Sequence, residues 1–303
     1  MTRNKPCAVD SIKDFHLTEG WSKIEPITRQ FVKTRLPFRD PNGHKGDFGK
    51  VYIAAGSTGY TGAPVYAAEA AMRTGSGLVF LGVPREVYPI VAARCESAMA
   101  QPLPDYPALA ERMRGCDAVL IGPGLGRGPE TEEMVLRLLR DLEEVPVILD
   151  ADGINAVSAH MDVLDARRGV TVLTPHEGEF ARLDPAFRPG VSDRAAFAED
   201  FSARHRCTLV LKGPGTLVAS GGLLYRNPTG CSGMAKGGSG DILAGMVLSL
   251  IGQGAAPVDA AACAVWLHGR AGEIAEAELT ARAMTPPDLL GRLSAAFKEL
   301  EED

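Results

Sequence analysis

Several familiar signatures are missing from this 303-residue chain, and each gap removes a class of function. Its six cysteines (Cys7, Cys95, Cys116, Cys207, Cys231 and Cys263) lie far apart with no CxxC spacing. That argues against a zinc or disulfide framework and for reduced, mostly structural thiols in a cytosolic protein. Apolar runs such as 242–251 fall well short of the ~20 residues needed to span a bilayer. The polar N-terminus shows no secretory signal, so a cytoplasmic protein with no membrane partner is expected. The net charge is -6 and the basic residues are scattered, which leaves no nucleic-acid footprint. The tight pair Arg167-Arg168 reads as solvated surface. There is no GxxxxGK[ST] phosphate loop, and Gly122-Pro123-Gly124-Leu125-Gly126 lacks the spacing of a dinucleotide fingerprint. No internal repeat, low-complexity tract or linker-like stretch divides the chain. We therefore expect an N-terminal arm over 1–40 with one helix, followed by a single domain over 41–303.

What is present is alternation. The hydrophobic content of 45% is ordinary for a globular protein with a sizeable core. Short apolar runs at 51–55, 78–82, 118–121, 147–150, 170–173 and 208–212 read as buried strands. Helical patterns fall between them at 62–73, 108–113, 129–142, 177–183 and 192–204. A hairpin is expected over 216–226, turning at Gly221-Gly222. Helices over 242–251, 258–275 and 289–300 complete the chain. The fold class this predicts is α/β, a mainly parallel central sheet with helices on both faces. Ligands of such sheets gather beyond the carboxyl ends of the strands. Five unusual loops, at 56–62, 122–128, 150–155, 174–179 and 212–216, fall at those ends, as an enzyme would require.

The most informative stretch is GCSGMAKGGSGDILAGMVLSLIG over 230–252, a glycine-rich loop opening into a buried helix. Gly237, Gly238 and Gly240 let the backbone approach another molecule closely, and the helix mouth beyond them suits a phosphate. Asp241 then has two readings: a helix cap, or a base for a hydroxyl that reacts with the phosphoryl group. Thr174-Pro175-His176-Glu177-Gly178-Glu179 reads either as a plain helix start or as a ligand-facing His176 with Glu179 near a hydrated Mg2+. Lys212-Gly213-Pro214-Gly215-Thr216 is a turn between strands that also suits a phosphate or nucleotide edge. Asp150 and Asp152 read as metal-side acids or as a cap for the segment from Gly153. His268 reads as a packing histidine and His44-Lys45-Gly46-Asp47 as a solvated loop.

Taken together, these residues resemble the nucleotide-dependent NAD(P)H-hydrate dehydratases of the ribokinase-like superfamily. The matching pieces are HKGDFGKVYIAAGSTGYTGAPVYAAEAAMRTGSGLV (44–79), GPGLG (122–126), LDADGINAV (149–157), LTPHEGEFARL (173–183), LKGPGT (211–216) and GMAKGGSGDILAGMV (233–247). The resemblance implies a ribokinase-like fold and repair of hydrated NADH and NADPH by phosphorylation of the ring hydroxyl and elimination of phosphate. It implies Asp241 as catalytic carboxylate, with Gly238 and Gly240 holding the phosphoryl group. Ala63, Gly124, Gly126 and His176 match substrate-lining positions. Lys212, Gly213, Pro214, Gly215, Thr216 and Gly240 match the nucleotide side. Glu179 falls where related vitamin kinases place an acid near Mg2+. The pattern is similar to bacterial members, which implies ADP rather than ATP as donor, a homotetramer, and a separate epimerase as functional partner, since 1–40 is too short to hold that domain. Cys231 stands where many relatives carry Asn. The rival readings are a ribokinase-like vitamin kinase for hydroxymethylpyrimidine or hydroxyethylthiazole, and a nucleotide-sensing protein without turnover.

Overall fold

The computed structural model describes residues 23–302. Its strands are β1 (Glu25–Pro26), β2 (Lys50–Ala54), β3 (Leu78–Val83), β4 (Met99–Pro102), β5 (Ala118–Ile121), β6 (Val147–Leu149), β7 (Thr171–Leu173), β8 (Thr208–Leu211), β9 (Leu217–Ser220) and β10 (Leu223–Arg226). They form one sheet in the order β1-β10-β9-β8-β7-β6-β5-β2-β3-β4. From β8 across to β4 every pairing is parallel; β9 runs against both of its neighbours. The hairpin joining β9 and β10 turns at Gly221 and Gly222, both at positive φ, as expected.

Strands buried on both faces are almost wholly apolar, which is why three-residue pieces such as Val147–Leu149 and Thr171–Leu173 suffice, the Thr171 hydroxyl being satisfied by Arg167 Nε at 3.1 Å. Successive side chains alternate between two cores. Val51 and Ile53 face one, with the helices Gly62–Arg73, Ser239–Gly252, Pro257–Ala283 and Pro286–Glu301; Tyr52 and Ala54 face the other, with Tyr106–Arg114, Pro129–Asp141, Glu177–Leu183 and Arg194–His205. The fold is the expected α/β arrangement, a mainly parallel central sheet with helices on both faces.

Some elements differ from the sequence reading. The helix expected at 242–251 starts earlier, at Ser239, and is apolar all round because all of it from Ile242 on is buried. The edge strand β4 and the five-residue helices Tyr88–Ala92 and Met161–Asp165 are too short to show a period. Arg167 is not solvated surface. Only 8% exposed, it donates from Nη1 to the carbonyls of Leu139 and Leu142, both at 2.8 Å, and from Nη2 to that of Val145 at 2.6 Å. These are carbonyls at and just past the end of the Pro129–Asp141 helix, where a cation is favoured. Arg168 is the exposed member of the pair.

Cys7 lies outside the described residues; Cys95, Cys116, Cys207 and Cys263 are buried free thiols and Cys231 is half-buried. Among the described residues, no helix is long and apolar enough to cross a membrane.

Candidate active site

The sheet reverses its growth beside β2. The chain first builds outward through β3 to β4, then resumes on the other flank of β2 with β5 and continues to β8. A crevice opens at such a switch point, beyond the carboxyl ends of the strands. The loops leaving β2 and β5 meet there. Gly56 donates its N–H to the Pro123 carbonyl and Ser57 Oγ donates to the Gly124 carbonyl, each at 2.8 Å. Gly124 has φ +63°, and a Cβ on it would lie 2.8 Å from Tyr60 Cβ and 3.2 Å from Ala63 Cβ. Only glycine fits. Gly126 donates its N–H to Asp152 Oδ2 at 2.9 Å, tying this loop to the one after β6. Ala63, Gly124 and Gly126 are thus brought together, and Ser57, Tyr60 and Asp152 join them.

Neither Asp150 nor Asp152 caps the following helix. It runs Asp152–Val157, its N-cap is Ala151, and no side chain caps it. Ala151 holds φ +50° and ψ -113°, a strained conformation for a residue with a Cβ, and it sits between two site acids.

The other half of the site is the start of the Ser239–Gly252 helix. Gly238 is its N-cap at φ +106°, and a Cβ there would come within 2.8 Å of the Tyr66 ring. No side chain caps the helix, and Asp241 sits inside its first turn. The capping role is therefore not the one Asp241 plays. The amides of Gly240 and Asp241 have no acceptor within the helix, and the positive end of its dipole points into the site. His268 fixes this end. Its Nε2 lies 2.9 Å from the Ser239 carbonyl, and burial pulls its pKa down to about 4, so it is a neutral packing histidine as expected.

Asp241 is half-buried among like charges. Burial first, then Asp150, push its carboxyl up to about 7; Glu179 and Asp152 add to this and Lys212 opposes it. An acid poised there can take a proton at neutral pH. Lys212 Nζ donates to Asp150 Oδ1 at 2.9 Å and lies 3.9 Å from Glu179 Oε2. Thr174 Oγ1 donates to the same Asp150 oxygen at 2.7 Å. Burial works against the Lys212 ammonium, but Asp150, Glu179 and Asp241 outweigh it and its pKa is raised. A Cβ on Gly240 would lie 3.2 Å from Nζ, so this ammonium sits beside the helix mouth. The Asp150–Lys212 pairing is a feature of the site that sequence reasoning missed. Gly213, Pro214, Gly215 and Thr216 continue from Lys212 as the turn into β9.

His176 is a helix cap. Its Nδ1 accepts from the N–H groups of Gly178 and Glu179, at 3.0 and 3.3 Å, while Glu179 accepts from the His176 N–H at 2.9 Å. The ring is half-exposed with Nε2 3.5 Å from Glu179 Oε1, so a ligand reaching it shares that edge with Glu179. Among the described residues, no three His, Cys, Asp or Glu side chains converge on a metal position. Of the buried site carboxylates, Asp150 is taken by Lys212 and Thr174, and Glu179 is the one left to fit an Mg2+ that keeps its waters and is carried by phosphates; a dedicated protein cage is not what these donors form. His44 and Asp47 form a self-contained exposed turn, His44 Nδ1 lying 3.0 Å from Asp47 Oδ2. The Cys231 thiol is raised to about 11 by burial and by Glu276.

Comparison with known proteins agrees with this geometry. The sequence model of the NAD(P)H-hydrate dehydratase family matches residues 51–294. The bifunctional NAD(P)H-hydrate repair enzyme of Moorella thermoacetica is 41% identical over 91% of this chain and 54% of its own length. The chain thus spans about half the length of the bifunctional relatives it matches. The ADP-dependent (S)-NAD(P)H-hydrate dehydratase of Neisseria meningitidis is 38% identical over 86% of this chain and 88% of its own. The crystal structure of the ADP/ATP-dependent NAD(P)H-hydrate dehydratase from Bacillus subtilis, co-crystallised with ATP/Mg2+, superposes with a TM-score of 0.80 at 30% identity, covering 91% of this chain and 99% of that one. A crevice at the switch point, an uncapped helix mouth with Asp241 in its first turn, and a family match over most of the chain place it: this chain belongs to the NAD(P)H-hydrate dehydratase family.

Proposed function

We propose that this chain is an ADP-dependent (S)-NAD(P)H-hydrate dehydratase that restores NADH and NADPH from their hydrates. The observation that carries the reading is the placement of Asp241, a carboxylate raised to about 7 in the first turn of a helix that no side chain caps. The hydrate's ring lies in the crevice against Ala63, Gly124, Gly126 and the Nε2 edge of His176. Its hydroxyl passes its proton to Asp241 as the oxygen attacks the terminal phosphoryl of ADP, and AMP leaves. The N–H groups around Gly238 and Gly240 stabilise the transferring group where its charge develops. The new C–O–phosphate bond then breaks, a neighbouring ring proton is lost, and dihydronicotinamide and phosphate are released.

The nucleotide is held by Lys212, Gly213, Pro214, Gly215, Thr216 and Gly240. Glu179 would serve, through water, an Mg2+ carried by the nucleotide phosphates, and that ion would supply neutralisation of their charge. The Asp150–Lys212 pair keeps one fixed cation beside Asp241. Cytoplasmic location, a homotetramer and a separate epimerase that interconverts the hydrate forms complete the proposal.

The test is to incubate the protein with NADH hydrate and ADP or ATP in parallel. Recovery of the near-ultraviolet absorbance of dihydronicotinamide, faster with ADP and with AMP as coproduct, is the expected result. Equal or faster recovery with ATP would overturn the choice of donor. No recovery with either nucleotide, but phosphorylation of hydroxymethylpyrimidine or hydroxyethylthiazole, would replace the dehydratase reading by that of a vitamin kinase.

A further inference from the structure

Arg194 lies outside every motif described above. It opens the helix Arg194–His205, and its side chain reaches back under the turn between β8 and β9. Nη1 donates to the Pro214 carbonyl at 2.8 Å; Nη2 donates to the carbonyls of Leu211 and Lys212 at 3.1 and 3.3 Å. Glu177 steadies the guanidinium from the opposite side, its Oε1 3.1 Å from Nε, while its Oε2 accepts the Gly190 N–H at 3.2 Å. The fit is close: a Cβ on Gly213 would come within 2.8 Å of Nη2.

These carbonyl contacts fix where the amides point. In a trans peptide the N–H of one residue is directed opposite to the carbonyl of the residue before it. Arg194 draws the Lys212 and Pro214 carbonyls towards itself, so the N–H groups of Gly213 and Gly215 turn away from it. The carbonyl between them, that of Gly213, is taken by Thr216 Oγ1 at 3.0 Å, and Pro214 has no N–H to present. One guanidinium therefore sets the direction of two of the amides in this turn, those of Gly213 and Gly215. Successive backbone amides held in this way make a seat for an anion.

We propose that Arg194 is a positioning residue that holds the 212–216 turn with its Gly213 and Gly215 amides aimed at the bound nucleotide. The inference rests on the reading of that turn as the nucleotide site. Arg is suited to the task because its planar fork serves several carbonyls at once, which a lysine ammonium on a flexible stem does not.

Steady-state kinetics of the full chain and of Arg194→Gln and Arg194→Lys test it, with ADP affinity also measured by calorimetry. Arg194→Gln should raise the KM and Kd for ADP about tenfold or more, with Arg194→Lys between it and wild type. The kcat at saturating ADP and the KM for the hydrate should stay within about twofold of wild type. A role in folding alone would instead lower kcat and the melting temperature and leave the ADP KM unchanged. An ADP KM within about twofold of wild type in a folded variant, or a kcat loss as large as the rise in ADP KM, would overturn the inference. If Arg194→Gln does not fold, Arg194→Lys decides by the same criterion. Wild-type protein that binds no adenine nucleotide would overturn the assignment of the turn and this inference with it. Normal wild-type binding with unaltered variants would overturn the inference alone.

Discussion

Asp241 is an acid whose environment holds its proton more tightly than water would. Burial and Asp150 raise its pKa from 3.8 to about 7, so as the proposed base it is fully available only above neutrality. We expect kcat/KM for the hydrate to rise with pH through about 7 and then level, a limb that reports the free enzyme. A profile flat from pH 5 to 8 would remove Asp241 as the base. The same shift has a stability consequence. The folded state holds the proton where the unfolded chain has already lost it, so stability falls as pH rises from about 4 to about 7. Asp241→Asn should melt higher than wild type, by a margin that widens from pH 5 to pH 8 in thermal scans. Asp241 could be found in the sequence because an acid interrupts a run of glycines before an apolar helix. Its surroundings could not. Asp150 and Lys212 are 62 positions apart and meet only because β6, β7 and β8 lie side by side. Arg167 misled for the same reason: its acceptor carbonyls lie 22 to 28 residues earlier in the chain, which adjacency to Arg168 does not reveal. Arg167→Met should cost roughly 2–4 kcal/mol in denaturant unfolding, because buried carbonyls lose their donors.

At the scale of elements, the site depends on two helices packed at close range. Gly62–Arg73 carries Ala63 and Tyr66 on one face, and Ser239–Gly252 carries Gly238 as its cap and Asp241. The helices touch through Gly245, where a Cβ would lie 2.1 Å from the Ala67 carbonyl oxygen. Further along, Ser249 Oγ accepts from both the N–H and the hydroxyl of Ser76, at 3.1 and 2.8 Å. Gly245→Ala should destabilise the protein by roughly 1–3 kcal/mol, the usual cost of overpacking. It should also lower kcat, because the helix mouth shifts against the crevice. An Ala variant with wild-type stability would mean the helices are free to move apart. The early start of the second helix was hidden because Ser239 and Gly240 read as loop in a glycine run. Tertiary neighbours decide otherwise: Tyr66 and Pro286 crowd Gly238, and His268 bonds to the Ser239 carbonyl. The helices at 129–141 and 177–183 were readable within a residue because their apolar spacing and first-turn acids agree with their final environment.

For the whole molecule, the alternation of short apolar strands with helices made the sheet's class legible, and the hairpin announced itself through Gly221-Gly222. The strand order was not written in any one segment. It depends on β5 docking beside β2 rather than beyond β4, and that single choice creates the crevice and sets the loops at 56–62 and 122–128 face to face. The five polar loops could be assigned to one end of the sheet from the sequence, but which of them touch is a property of that order. The assembled site makes one chemical claim: a carboxylate at an uncapped helix mouth accepts the proton of a hydroxyl that takes a phosphoryl group. The most direct measurement is turnover of NADH hydrate with ADP by wild type and Asp241→Asn, following dihydronicotinamide absorbance and nucleotide binding together. The account predicts that Asp241→Asn loses at least ~10²-fold in kcat while its affinity for ADP is largely kept; an unchanged kcat in the variant would contradict it.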